Sequence, residues 1–277
     1  MNSIVSIEEL KPVLDQVVVI DARSGKYSAR RFEKGHLKSA RHADLDRDLT
    51  QENIMPRQGG RHPLPGIEEF SNRLGEWGIN PSSHVVIYDD KNGANAAARF
   101  WWMLRAAGHE KVQVIDGGWD AIQRSGLPVE TGNRAKAKEG AYPFTEWKMP
   151  MVEMAQVEKL AKNTDYLLID VREGYRYRGE SEPIDLVAGH IPGAFNIPYI
   201  DNLKSDGTFL SQEELFKKYT EVLQGRDPSK VMVHCGSGVT ACHTLLALEQ
   251  AGIKGASLYV GSWSEWSRND KPIATDV

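Results

Sequence analysis

The sequence carries one order of short motifs twice, and this internal duplication constrains the fold more than any other feature. Each copy has an apolar run ending in Asp-x-Arg, then a Gly-His turn, a second apolar run, and a third run followed by Gly and Trp. The matching segments are 17–23 and 166–172, 35–40 and 189–194, 85–88 and 231–234, and 115–119 and 260–263. The repeating unit is far longer than the roughly 20–50 residues of a solenoid repeat. The sequence therefore predicts two copies of one domain.

Within each copy, short apolar runs alternate with stretches rich in helix-forming residues. The stretches 94–107 and 240–250 are rich in good helix formers, and Gly108 and Gly252 stand where these helices should end. Short continuous apolar strands that alternate with helices are typical of a parallel sheet covered on both faces. We therefore predict an α/β fold with a mainly parallel sheet and helices on both faces in each copy.

The duplication also sets the expected domain boundaries. We predict an N-terminal domain over residues 1–131 and a C-terminal domain over residues 151–277. The segment 132–150 between them is polar, carries the basic run Arg134-Ala135-Lys136-Ala137-Lys138, and ends on a proline. Such a segment is predicted to be a linker along the surface.

Composition argues against several classes of function. The net charge is −4, and Lys and Arg are spread along the chain, so neither a nucleic-acid partner nor a membrane surface is expected. No apolar run reaches the roughly 18 residues of a membrane span, and residues 1–6 lack the pattern of a signal peptide. The two cysteines, Cys235 and Cys242, are not placed for a structural disulfide, so a reducing cytoplasmic location is expected. Because metal-ligand spacings and nucleotide fingerprints are missing, we expect no metal and no cofactor.

One segment has the pattern of a nucleophile loop. Residues 234–241, His-Cys-Gly-Ser-Gly-Val-Thr-Ala, follow an apolar strand and precede a helix, and ligands of parallel sheets bind beyond the carboxyl ends of strands. Gly236 and Gly238 permit unusual backbone angles, so successive N–H groups can point into one concavity, and a helix starting near Thr240 adds its positive end. This environment favours the thiolate of Cys235, a nucleophile, and suits an anionic persulfide or the oxyanions of a sulfur donor.

These motifs together resemble the tandem rhodanese-type sulfurtransferases, over nearly the whole chain. The resemblance rests on Asp-x-Arg, Gly-His-Ile-Pro-Gly-Ala, Cys-Gly-Ser-Gly-Val-Thr-Ala and Gly-Ser-Trp. It implies a catalytic C-terminal copy and a non-catalytic N-terminal copy. Aligning Tyr88 with His234 puts Asp89, which cannot form a persulfide, at the position of Cys235. The implied function is transfer of sulfane sulfur from 3-mercaptopyruvate or thiosulfate, through a Cys235 persulfide, to cyanide, a small thiol or thioredoxin.

Within this family, the loop is similar to that of the 3-mercaptopyruvate sulfurtransferases. Thiosulfate-specific members usually carry Arg and Lys after the Cys, where this chain has Gly236 and Ser237, and two cations would favour a doubly negative donor. The resemblance implies that Ser237 and a His–Asp pair from the first domain assist the reaction. The motif His-x-Leu-Pro matches residues 62–65 and so assigns the His to His62, and Asp46, in the segment 44–46, matches the acid. A His held by an acid can manage protons near neutral pH.

Donor recognition follows from the same resemblance. The family binds the donor carboxylate with two arginines ahead of the Gly-His turn, and Arg176 matches the first. The second is expected after Glu-Pro, but here residues 182–183 are followed by Ile184 and Asp185, and a single Arg grips a carboxylate less firmly than two. Arg178 is either a replacement or a solvated surface charge. The loop residues expected to complete the donor site are Gly236, Gly238, Val239 and Thr240.

Motifs that occur in both copies are expected to be structural, because the first copy lacks the Cys. The Asp-x-Arg pairs should tie a strand end to a loop, the two Gly-His histidines should shape a turn, and the Gly-x-Trp tryptophans should pack. The residues concerned are Asp21, Arg23, Asp170, Arg172, His36, His190, Trp119 and Trp263.

Three other interpretations compete with the sulfurtransferase. Cys235 could be a buried structural cysteine at a strand end, which is the role we predict for Cys242 in the following helix. A cysteine phosphatase would use a similar loop but needs an Arg six positions after the Cys, where Ala241 stands. A non-catalytic sulfur-binding or interaction module would not need the intact loop.

Overall fold

The computed structural model describes residues 1–52, 54–133, 137 and 140–276, and the chain divides into two compact units. The first unit comprises Met1–Glu52, Leu64–Lys148 and Asp206–Thr208, and the second comprises Asn53–Pro63, Met149–Ser205 and Phe209–Val277. Residues 54–63 thus stand in the middle of the first copy's sequence but belong to the second unit. Within the predicted linker, Arg134, Ala135, Lys136 and Lys138 of the basic run lie outside the described residues.

The first unit is built on a five-stranded sheet in which every pair of neighbours is parallel. The strands are β1 (Ile4–Val5), β2 (Val18–Asp21), β3 (His36–Leu37), β4 (Arg41–His42), β5 (Val85–Tyr88), β6 (Val112–Ile115) and β7 (Val129–Glu130). The helices are α1 (Ile7–Leu10), α2 (Ser28–Lys34), α3 (Leu45–Asp48), α4 (Ile67–Glu76), α5 (Ala96–Ala106) and α6 (Gly118–Ser125), with a 3-10 helix over Lys11–Gln16. The sheet order is β1-β6-β5-β2-β4, and β3 and β7 form a separate antiparallel pair.

The second unit repeats this plan. Its strands are β8 (Met151–Val152), β9 (Leu167–Asp170), β10 (Ala194–Asn196), β11 (Val231–His234) and β12 (Ser257–Tyr259). Its helices are α7 (Met154–Leu160), α8 (Gly174–Arg178), α9 (Gln212–Leu223), α10 (Ala241–Gln250) and α11 (Ser262–Trp266), with 3-10 helices over Tyr199–Asn202 and Pro228–Lys230. The sheet order is β10-β9-β11-β12-β8, again with parallel neighbours.

The two sheets correspond strand for strand, so the duplication read from the sequence holds in three dimensions. Read from the opposite edge, β8-β12-β11-β9-β10 matches β1-β6-β5-β2-β4. The register matches as well, because Asp21 pairs with Tyr88 in the first sheet and Asp170 pairs with His234 in the second. The residues that follow Tyr88 and His234 are therefore structurally equivalent, as the alignment predicted.

Both faces of each sheet are covered by the rest of its unit. All four residues of β5, β6, β9 and β11 are buried, and successive side chains of a strand point to opposite faces. Burying one large aliphatic side chain contributes roughly 1.5–3 kcal/mol, so these central strands form a rigid base for the loops at their ends. The prediction of an α/β fold with two tandem domains is confirmed.

The repeated motifs have the structural roles predicted for them. In the second unit, Arg172 Nη2 lies 2.6 Å from Asp170 Oδ2 and donates to the carbonyl oxygen of the Gly-His turn at 2.7 Å. Arg23 makes the same two contacts in the first unit, at the same distances. His36 and His190 each stack on an aromatic ring of the preceding helix. The ion pair thus fixes the end of one strand against the turn that leads to the next.

Candidate active site

Cys235 is the first residue after β11, the middle strand of its sheet, and it is buried. Its backbone N–H donates to Ser262 Oγ at 3.2 Å, and its carbonyl oxygen accepts the N–H of Trp263 at 3.0 Å. The beginning of α11 therefore holds the backbone of residue 235 through both its donor and its acceptor. The carboxyl end of a central strand is where parallel sheets bind ligands.

The two loop glycines have different surroundings. Gly238 has a φ of +73°, and a Cβ there would lie 2.4 Å from the carbonyl oxygen of Val260, so no other residue fits. We predicted an unusual backbone angle at Gly236 too, and this is wrong, because its φ lies outside the left-handed region. A Cβ on Gly236 would instead lie 3.1 Å from Nη2 of Arg61 and 3.4 Å from Nη2 of Arg176. Gly236 leaves room for guanidinium groups beside the loop.

The rest of the loop leads directly into α10. Val239 is buried, and Thr240 is the N-cap residue of the helix, which begins at Ala241 as predicted. Cys242 lies inside this helix, fully buried, and its Sγ donates to the carbonyl oxygen of Gly238 at 3.3 Å. The interpretation of Cys242 as a packed helical thiol is confirmed.

Ser237 and His62, which the family resemblance placed together, are in contact. Nδ1 of His62 lies 2.7 Å from Oγ of Ser237, whose side chain is buried. His62 belongs to residues 54–63, which are part of the second unit and are fixed there by backbone contacts. The N–H of Gly59 donates to Glu265 at 2.8 Å, and the N–H of Arg61 donates to Ser264 Oγ at 3.0 Å.

Asp46 lies in the first unit, in the short helix α3. Its backbone N–H donates to Oδ1 of Asp44, the N-cap residue of that helix, at 3.1 Å. The pairing of Asp46 with His62 remains a prediction.

Arg176, the predicted carboxylate-binding residue, stands beside the loop but is already paired within the protein. Its Nε and Nη2 donate to the carboxylate of Glu182 at 2.9–3.1 Å, and its Nη1 donates to Glu173 at 3.3 Å. Arg178 has a different environment, because its Nε donates to Glu180 at 2.5 Å while both side chains are nearly half exposed. The structure thus pairs Arg178 with a surface carboxylate.

The sequence reasoning missed a cluster of charges around Asp185. This carboxylate is fully buried and accepts from Arg61 Nε at 2.9 Å and Nη2 at 3.3 Å, and from Arg268 Nη1 at 3.2 Å. A longer contact of 3.4 Å joins it to Nη2 of Arg176. One sequence signal could have found the cluster: an acid where the family pattern has a basic residue requires new cationic partners once it is buried.

A model of the rhodanese-like domain matches the chain twice, over residues 6–125 and 153–269. The chain belongs to the rhodanese family. A probable 3-mercaptopyruvate sulfurtransferase of Pseudomonas aeruginosa is 40% identical over 267 residues, or 94% of this chain and 92% of that protein. SseB of Mycobacterium tuberculosis, named as a thiosulfate sulfurtransferase, is 38% identical over 237 residues, or 85% of this chain and 81% of that protein. The structure of 3-mercaptopyruvate sulfurtransferase from Leishmania major has a TM-score of 0.84 at 31% identity and covers 96% of this chain and 74% of that one.

These relatives confirm the predicted tandem rhodanese architecture and the prediction of a sulfurtransferase enzyme. In this rhodanese, cavities of about 260 Å³ in the first unit and about 620 Å³ in the second are not lined by Cys235. We therefore describe the site by its loop and the charges around it. Among the described residues, no helix is long and apolar enough to cross a bilayer. Within that same part of the chain, no group of three or more His, Cys, Asp or Glu side chains could hold a metal ion.

Two buried groups fix the electrostatics around the rhodanese loop. Burial alone would raise the pKa of Glu182, but hydrogen bonds from Arg176 and from two backbone N–H groups outweigh it and lower the pKa, so the side chain is a carboxylate. Burial lowers the pKa of His234, and the nearby Asp170 opposes this only in part. A neutral imidazole therefore precedes Cys235, with its Nδ1 3.2 Å from the Cys235 carbonyl oxygen.

Proposed function

We propose that this rhodanese moves sulfane sulfur from 3-mercaptopyruvate, thiosulfate or both to a thiophilic acceptor, with Cys235 as the persulfide carrier. The observation that carries the proposal is the placement of Cys235 at the end of the middle strand, in a loop that also holds the Ser237–His62 contact. The relatives named for each donor support the same chemistry.

The first half-reaction loads the sulfur. The Cys235 thiolate attacks the sulfur of 3-mercaptopyruvate, so an S–S bond forms and the C–S bond breaks. The electron pair of that bond leaves with the carbon as the enolate of pyruvate, which takes up a proton. With thiosulfate, the thiolate attacks the outer sulfur and sulfite leaves with the electron pair of the S–S bond. The product on the enzyme is in either case a Cys235 persulfide.

Ser237, His62 and Asp46 are proposed to handle the proton that the enolate needs. Ser237 Oγ and His62 Nδ1 are at hydrogen-bond distance, 2.7 Å, so a proton can pass between them. Asp46 would orient the imidazole, the usual role of an acid beside a catalytic His. Thiosulfate cleavage releases no carbanion, so this proton path matters mainly for the mercaptopyruvate reaction.

The second half-reaction unloads the sulfur. Cyanide or the thiolate of an acceptor, either a small thiol or thioredoxin, attacks the outer sulfur of the persulfide and releases the Cys235 thiolate. The backbone N–H groups of the loop are proposed to hold the anionic groups during both half-reactions, at Gly236, Gly238, Val239 and Thr240. We propose small-molecule or thiol-protein acceptors and no nucleic-acid or membrane partner.

Steady-state transfer to cyanide with both donors tests this function. Cys235→Ser should abolish transfer from both donors, whereas Cys242→Ser should keep most of it, because Cys242 is packed in α10. Wild-type kcat/KM should be higher with 3-mercaptopyruvate, since residues 236 and 237 carry no charge. Transfer by Cys235→Ser at a rate close to the wild type would disprove the role of the thiol.

A further inference from the structure

Positive charge reaches the Cys235 loop from three segments outside it. Arg61 comes from residues 54–63, Arg176 from α8, and Arg268 from the residues after α11, and all three contact Asp185. A Cβ at Gly236 would lie 3.1 Å from Arg61, so the Arg61 guanidinium lies against the backbone of the residue after Cys235. A loop without cations of its own is therefore flanked by arginines.

Asp185 is the residue that all three arginines contact. It is fully buried, and a buried carboxylate is tolerated only when its partners replace the lost hydration. Three guanidinium groups share this one carboxylate, and the family pattern places a donor-binding arginine in this part of the chain. An acid stands here instead, and arginines from other parts of the sequence contact it.

The three arginines differ in their access to solvent. The side chain of Arg176 is 6% exposed and is held by Glu182, whereas those of Arg61 and Arg268 are 25% and 22% exposed. Asp185 engages Arg61 through Nε and Nη2. The Nη1 side of this guanidinium is outside that contact, and a planar carboxylate binds best to a pair of guanidinium N–H groups. Arg61 is thus the member of the cluster best placed to meet an external anion.

We propose that Arg61, assisted by Arg268, binds the carboxylate of the sulfur donor and so takes the role of the missing second arginine, with Asp185 holding both guanidinium groups in position. This inference rests on the proposed function of Cys235 as the sulfur acceptor. It names the preferred donors as thiols that carry a carboxylate, and it is consistent with a glycine at residue 236, where a Cβ would lie 3.1 Å from Arg61 Nη2.

Alkylation of the Cys235 thiol tests the inference without any sulfur transfer. Iodoacetate and iodoacetamide differ mainly in the carboxylate, so the ratio of their rates at Cys235 reports carboxylate binding next to the thiol. Arg61→Gln should lower this ratio and kcat/KM for 3-mercaptopyruvate by roughly 10- to 150-fold, mainly through KM. Arg61→Lys should show a smaller fall in both quantities, because an ammonium keeps the charge but lacks the planar fork. The matched control is Arg178→Gln, which should leave both quantities unchanged.

The double variant Arg61→Gln with Asp185→Asn guards against misfolding, because it removes the carboxylate together with one of its partners. It should show the same low ratio as Arg61→Gln with unchanged circular dichroism. An unchanged ratio in Arg61→Gln, or an equal fall in Arg178→Gln, would overturn the inference. If Cys235 proves unable to carry sulfur, the proposed function fails, but the alkylation ratio still decides whether Arg61 binds a carboxylate.

Discussion

The loops after β5 and β11 occupy equivalent places in the two copies, but the first is filled by its own carboxylate. Asp89 is fully buried, and its two oxygens accept four backbone N–H groups at 2.8–3.1 Å. The donors are Lys91, Gly93, Asn95 and Ala97. Burial raises the pKa of Asp89, and these four bonds oppose the rise. In the first copy, the backbone N–H groups of the turn between strand and helix thus surround a carboxylate, as expected of an anion-binding turn.

The second copy differs in two further ways that concern its loop. In the first copy, α2 is followed at once by the Gly-His turn, whereas in the second copy residues 179–188 intervene, and they carry Glu182 and Asp185. The other difference is the residue type at the equivalent positions 118 and 262. Gly118 and Ser262 have nearly the same φ, +54° and +52°, but only the second carries a side chain. The second copy has a left-handed serine, at a cost of about 1 kcal/mol, and that serine accepts the N–H of Cys235.

The largest effect is expected when the loop of the second copy receives Asp, the residue that the first copy has at the equivalent position. Cys235→Asp should fold, because the first copy accommodates Asp89 at the equivalent position. It should lose transfer by roughly 10⁴-fold or more, because a carboxylate cannot carry sulfur. Cyanide-dependent thiocyanate formation measures the loss, and the reverse change, Asp89→Cys, should create no activity. Activity of Cys235→Asp within about tenfold of the wild type would contradict the comparison.

The next largest effect is expected for the Ser237–His62 contact. Ser237→Ala and His62→Gln should each lower kcat with 3-mercaptopyruvate by roughly 10²-fold, the lower end of the range for positioned acid–base groups. The effect with thiosulfate should be much smaller, because sulfite leaves without needing a proton. Ser237→Thr is the control, since it keeps a hydroxyl group. Equal losses with both donors would mean that the pair positions the loop and does not move a proton.

Ser262 offers a finer comparison with Gly118. Ser262→Ala leaves the buried N–H of Cys235 without its acceptor and keeps the left-handed backbone, so the free energy of unfolding should fall by about 1–3 kcal/mol. Ser262→Gly loses the same acceptor but relieves about 1 kcal/mol of strain, so it should be the more stable of the two. Urea unfolding gives both values. An alanine variant as stable as the glycine variant would show that the φ of residue 262 is not strained.

The smallest effect is expected for Arg178. Its side chain is 47% exposed and pairs with Glu180 on the surface, and surface ion pairs contribute little. Arg178→Gln should therefore change KM for 3-mercaptopyruvate by less than about twofold. A tenfold rise would place Arg178 in the donor site and remove the reason for assigning that site to Arg61.

Local patterns in the sequence predicted the parts of the molecule that local interactions determine. The alternation of strands and helices followed from the repeated apolar runs, and α5 and α10 end two residues before the glycines chosen as helix stops, Gly108 and Gly252. The placement of Cys235 between a strand and a helix was equally readable, because strand, glycines and helix are consecutive in the chain.

The missed features all depend on contacts between distant parts of the sequence. Arg61 and Asp185 are 124 residues apart, and Arg268 lies 83 residues beyond Asp185. Gly236 was explained by its backbone angle, but its φ is ordinary and charged side chains of Arg61, Asp185 and Arg176 surround the place of a Cβ. The membership of residues 54–63 in the second unit could not be read from the duplication either, because they stand in the middle of the first copy's sequence.

The central claim is that sulfur is carried on Cys235, and peptide mass spectrometry tests it most directly. After treatment with 3-mercaptopyruvate or thiosulfate without acceptor, the peptide containing Cys235 should gain the mass of one sulfur atom and lose it again when cyanide is added. Cys235 and Cys242 can share one peptide, so the modified residue is identified either by cleaving the chain between them or by fragmenting the peptide in the mass spectrometer. The account predicts the added sulfur on Cys235 alone, and none anywhere in the Cys235→Asp variant. Sulfur on Cys242, or transfer to cyanide without any loaded Cys235, would contradict it.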